Sequence, residues 1–179
     1  MESGTSGVGE IMSQSVSLSN FNSLEIDDAA AILSAVCSSS RWVSLMLKSM
    51  PYEGESQLLE VAQLSWNSLG DEDYLEAFAG HPQIGDLTAL RDRLGSLAVK
   101  EQGQVAEASE ATLEELAELN ATYLQRFGFI FIIAAKGLSA EAMLEQLRRS
   151  VTGSEASELL RASQEQAKII QNRLTTWTP

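Results

Sequence analysis

From Ile26 onward the apolar residues of this chain return at the three- and four-residue spacing of a helix. Leu58, Leu59, Ala62, Trp66 and Leu69 fall on one helical face, and Gly70 closes the segment. Near the C-terminus Leu159, Leu160, Ser163, Ala167, Ile170 and Leu174 form a second stripe, with Arg173 at its border. A chain built from such stripes can bury them only by packing helix on helix.

The punctuation between stripes fits the same scheme. Ala29, Ala30, Leu33 and Val36–Cys37 predict a short helix entered through Asp27 and Asp28. Trp42, Leu45, Met46 and Ser49–Met50 predict another, ended by Pro51. Asp71 reads as the N-cap of a short helix through Tyr74, Leu75 and Phe78. The run from Gly80 to Asp86 breaks the periodicity and reads as a connection, and a further helix is expected between Ala89 and Gln102. Thr112 with Glu115 fits a capping box that opens a helix burying Leu116, Ala117, Tyr123, Leu124 and Phe127. By propensity the segment Phe129 to Ala135 could be a buried strand. It has no partner strand elsewhere, so a fully buried helix is expected. Ser139 and Ser154 can cap the last two helices. The sum is an all-α, compact single-domain bundle of about eight helices over residues 23–179. Residues 1–22, rich in Ser and Gly, read as a disordered extension or an expression remnant outside that fold.

Charge and cysteine usage narrow the function. Twelve basic residues against twenty-five acidic ones give a net charge of −13, with no basic stripe for nucleic acid and nothing to favour an anionic membrane. No apolar run reaches a membrane span, and no basic residue precedes an apolar core at the N-terminus. Cys37 and His81 each stand alone, which leaves no disulfide and no ordinary zinc set. A reducing compartment and metal-free chemistry are the resulting expectations.

Four places can carry chemistry. Pro82 pushes His81 out of helical backbone, so a titratable imidazole is presented at a helix end, where it could equally just pack. Glu101-Gln102 sets a carboxylate beside an amide, a pair able to read a ring's donors and acceptors and just as able to be a solvated helix face. In Asn120-x-x-Tyr123-x-x-x-Phe127-Gly128-Phe129, the glycine reads as the residue after a helix C-terminus. The break there can leave backbone N–H groups for an anion or a polarised carbonyl, although packing alone would also produce the motif. Arg173, at the edge of its stripe, either snorkels to water or supplies the fixed cation that an anionic substrate needs.

Taken in order, His81-Pro82-Gln83-Ile84-Gly85, Glu101-Gln102 and Asn120…Tyr123…Phe127-Gly128-Phe129-Ile130-Phe131-Ile132 resemble the OHCU decarboxylase family. Gln166 to Leu174 is similar to that family's C-terminal helix, and the resemblance runs from about Asn22 to Trp177. It implies an all-α, usually dimeric enzyme acting on the small molecule 2-oxo-4-hydroxy-4-carboxy-5-ureidoimidazoline, without a cofactor. It implies His81 as catalytic acid/base, Glu101 as its carboxylate partner and Arg173 as the substrate-binding cation. Pro82, Ala98, Gln102 and the backbone around Phe127, Gly128, Phe129, Ile130 and Phe131 would line the ligand pocket. Family members commonly carry serine where this chain has Ala98, so that hydroxyl is missing. Thr176-Trp177-Thr178-Pro179 lacks the Ser-Lys-Leu peroxisomal address, which makes a cytoplasmic enzyme the expectation.

Overall fold

The structure, a computed structural model, describes residues 17–81 and 110–177. Pro82, Ala98, Glu101, Gln102 and the helix expected between Ala89 and Gln102 lie outside the described residues. Among the described residues there are eight helices and no strand, in keeping with the all-α reading. In chain order they are α1 (Leu18–Asn22), α2 (Ile26–Val36), α3 (Ser40–Lys48), α4 (Glu55–Asn67), α5 (Asp71–Ala79), α6 (Glu110–Phe127), α7 (Ala140–Ser150) and α8 (Glu155–Trp177). These residues gather into two compact units. One holds residues 17–80 with 167–177, and the other holds residue 81 with 110–166.

The first unit is closed by apolar burial. Phe21, Leu33, Trp42, Met46, Leu58 and Leu174 are wholly buried in one cluster, each contributing roughly 1.5–3 kcal/mol by leaving water. The polar atoms that go in with them are satisfied. The Trp42 indole donates to Ala62 O at 3.1 Å, and Tyr52 Oη donates to Met46 O at 2.6 Å. Ser39 caps α3 by accepting from Trp42 N. Two details depart from the sequence reading. Helix α1 lies inside the stretch read as an extension. Its Phe21 is buried, and the Asn22 side chain brackets the Tyr52 backbone at 2.7 and 2.9 Å. The cap of α5 is Gly70 instead of Asp71, because Asp73 reaches back to the Gly70 N–H at 3.0 Å. At the far end of α5, a Cβ on Gly80 would stand 1.8 Å from Ser38 Oγ and 2.5 Å from Ser38 Cβ, so the residue before His81 must be glycine.

The second unit is closed differently. Leu113, Leu116, Tyr123 and Phe127 bury one face of α6. The predicted capping box is absent, since Thr112 lies within the helix. Glu115 instead takes a bidentate pair from Arg148 of α7 at 2.7 and 2.6 Å. Ser139 caps α7 as expected, and the Ser154 hydroxyl accepts from Ser157 N at the start of α8. The helix expected over Phe129 to Ala135 does not form, and the segment is neither helix nor strand. Its backbone polar groups must then find partners outside any ladder. The phase of α8 also differs from the predicted stripe. Leu160 is 60% exposed, while Glu158, Glu165 and Gln166 are buried.

Candidate active site

The irregular segment is held by the polar face of α8. Glu158, Arg161, Glu165 and Gln166 follow the i, i+3, i+7, i+8 spacing that puts side chains on one helix face. Arg161 donates through Nη1 to Ile132 O at 2.8 Å and lies 4.5 Å over the Phe131 ring. Glu165 accepts from Ala134 N at 2.8 Å. Arg161 also pairs with the buried Glu158 through Nε at 2.7 Å, and Tyr123 Oη donates to the same carboxylate at 3.0 Å. Burial pushes the Tyr123 phenol well above its usual range, with Arg161 pulling it back and Glu158 adding to the rise. Tyr123 therefore stays a neutral donor at any physiological pH. Each partner satisfies the others, the condition under which a buried ionic network is tolerated.

The aromatic residues of the motif pack around Tyr123. Its ring lies 4.6 Å from Phe127, 5.7 Å from Phe129 and 5.4 Å from Phe131. Phe127, Phe129 and Phe131 are thus core side chains, and Ile130 beside them is half-buried. Gly128 takes φ +76° directly after α6, as its place after the helix predicted. Its N–H is spent on Leu124 O at 2.9 Å, so it is not a spare donor for an anion. Asn120 bonds back to Leu116 O within its own helix.

His81 is half-buried, and its Nε2 stands 2.6 Å from Gln166 Oε1. Gln166 follows Glu165 in α8, so one turn of this helix holds both the irregular segment and the imidazole. Arg173 belongs to the other unit. There its Nη1 donates to Val36 O at 2.7 Å and Ala35 O at 3.4 Å, at the C-terminus of α2 where carbonyls lack helical partners. Beside it, burial pushes the Cys37 thiol up to about 11, with a Ser39 backbone bond and then Arg173 opposing the shift. Among the described residues no group of three His, Cys, Asp or Glu is placed to hold a metal ion, and no helix is long and apolar enough to cross a membrane.

Sequence reasoning singled out His81 and the Phe127–Phe131 motif and passed over the side chains that contact them, Glu158, Arg161, Glu165 and Gln166. The available signal was their spacing. Four polar side chains repeating on one helix face, next to small or apolar positions such as Ala162, can mark a buried polar seam.

Comparison with known proteins decides the family. Residues 22–175 match the sequence model of OHCU decarboxylase. The chain belongs to the OHCU decarboxylase family. It is 35% identical over 141 residues to the uric acid degradation bifunctional protein TTL of Arabidopsis thaliana, covering 77% of this chain and 44% of that protein. It is 27% identical over 160 residues to the 2-oxo-4-hydroxy-4-carboxy-5-ureidoimidazoline decarboxylase of Haloferax volcanii, covering 89% of this chain and 94% of that one. The chain thus spans under half of the plant bifunctional protein but nearly all of the archaeal decarboxylase. Among solved structures, an OHCU decarboxylase determined in the presence of (S)-allantoin superposes with a TM-score of 0.69 at 33% identity, over 86% of this chain and 97% of that one. An (S)-allantoin synthase shares the fold, with a TM-score of 0.67 at 22% identity over 91% of this chain and 54% of that one.

Proposed function

We propose that this chain is a carboxy-lyase that converts 2-oxo-4-hydroxy-4-carboxy-5-ureidoimidazoline to (S)-allantoin and carbon dioxide in urate degradation. The observation that carries the reading is the family match over residues 22–175. The chemistry suits a protein without a cofactor. When the carboxylate leaves as carbon dioxide, the bonding electron pair stays on the ring. The carbon–nitrogen double bond beside that carbon can accept it, so no separate electron sink is required. The nitrogen that receives the pair takes up a proton, a second proton must reach the neighbouring ring carbon from one face, and the hydroxyl must lose its proton to become the product's carbonyl.

His81 is the group suited to handle the hydroxyl proton and the protonation of the ring carbon, a role worth ~10²–10⁴-fold in rate. Its ring is held from α8 by Gln166, which supports a fixed direction of proton delivery. By resemblance, Glu101 is its carboxylate partner once the ring is protonated, and Arg173 is the positive charge that an anionic substrate needs against a net −13. A homodimer and a cytoplasmic setting complete the reading; sedimentation and localisation of a tagged chain test those two.

The decisive experiment generates the substrate in situ from urate and follows allantoin by circular dichroism. Fast, optically active product is expected, falling at least ~100-fold in His81→Asn while the fold is retained. A trace matching the spontaneous, racemic reaction from folded protein would overturn the reading. It would favour a non-catalytic ligand-binding module, with Ala98 in place of the family's serine as the first feature to reverse.

A further inference from the structure

Gln166 is wholly buried, and its two amide atoms are used unequally. Oε1 meets His81 Nε2 at 2.6 Å, whereas Nε2 of the amide has no hydrogen-bond partner among the described residues. A buried amide with an unmatched N–H pair is a costly way to fill a helix face. Methionine or leucine would fill similar space without that cost. The feature that distinguishes Gln166 from an apolar residue is therefore its contact with the imidazole.

That contact has a direction. At 2.6 Å the two atoms are within hydrogen-bond reach, and an amide oxygen can only accept. The oxygen accordingly faces the ring, and the ring nitrogen is the donor.

We infer that Gln166 is a positioning residue for His81, fixing the imidazole with its proton on Nε2 so that Nδ1 is the basic nitrogen of the neutral ring. The consequence for catalysis rests on the acid/base role proposed above for His81. The tautomer itself does not, so the two can fail separately. The contact lies between residues 85 apart in sequence, both in the second unit. In a chain with one histidine, the ring state is also directly readable.

The test is a two-bond proton–nitrogen correlation spectrum of the full chain labelled with nitrogen-15 histidine, alongside steady-state kinetics. The unsubstituted protein should show one neutral tautomer protonated at Nε2. Gln166→Met should convert it to a tautomer mixture and lower kcat by about 10–100-fold with KM within about threefold. Gln166→Glu keeps an oxygen in place and should keep the Nε2 proton, which maintains the test should the methionine variant not fold. An Nδ1-protonated ring in the unsubstituted chain overturns the inference. So does a Gln166→Met protein with both tautomer and kcat unchanged. Retention of turnover by His81→Asn would instead remove the catalytic reading and leave the tautomer result standing.

Discussion

The two units of this protein are stabilised in different ways. In residues 17–80 with 167–177, Phe21, Leu33, Trp42 and Leu58 disappear into one apolar cluster, and the polar groups that follow them are mostly single indole, hydroxyl or amide contacts. In the unit of residues 81 and 110–166, the last helix buries Glu158, Glu165 and Gln166 and turns Arg161 inward. Apolar burial is non-directional, so the first unit specifies a shape. Charged hydrogen bonds are directional, so the second can hold a backbone that belongs to no helix or sheet. The unit that carries His81 is the one built from directional contacts.

Substitutions can break that comparison. The largest loss is expected from Trp42→Ala in the apolar unit, about 3–5 kcal/mol, through cavity and lost transfer energy. Urea unfolding measures it, and no second-site polar change should recover it. Arg161→Ala in the other unit strands Glu158 and should cost about 3 kcal/mol, reduced from a fully buried pair because Arg161 remains partly exposed. Here recovery is expected. Replacing both partners, Arg161→Met with Glu158→Leu, should restore part of the stability, limited by the partners lost to Tyr123 Oη and Ile132 O, and leave kcat low. A double variant that recovers activity with stability would show that the network only fills space.

Acid–base behaviour sharpens the contrast. The folded Cys37 thiol is raised from 9.0 to about 11, so the folded state holds its proton where the unfolded chain releases it. The stabilisation is fully present below pH ~9 and is lost as pH rises towards ~11, roughly 2–3 kcal/mol in all. Cys37→Ala should flatten that part of the stability–pH curve, and the native thiol should resist disulfide reagents at pH 8. The smallest expected effect is at Gly128. Its φ of +76° strains any side chain, although the space beside it is open. Gly128→Ala should cost about 1–2 kcal/mol, seen as a small fall in melting temperature.

Local features of the chain were legible because they depend on neighbours in sequence. The three- and four-residue apolar spacing, the Ser139 cap and the left-handed Gly128 each follow from residues within one or two helical turns. The same reasoning misplaced what depends on distant partners. Thr112–Glu115 has the form of a capping box, yet the Glu115 carboxylate goes to Arg148, 33 residues on. Phe129 to Ala135 has the composition of a regular buried element, and its sequence cannot show that Arg161 and Glu165 will satisfy its backbone.

The sequence by itself determined the all-α class, most helix limits and the family to which the chain belongs, because periodicity, caps and motif order are written along the chain. Only the tertiary structure decided which face of the last helix is buried, what holds the irregular segment and which side chain meets the imidazole. The physical reason is one of range. A helix forms from hydrogen bonds four residues apart, whereas the choice between burying Leu160 and burying Glu158 and Gln166 depends on partners 35 and 85 residues away.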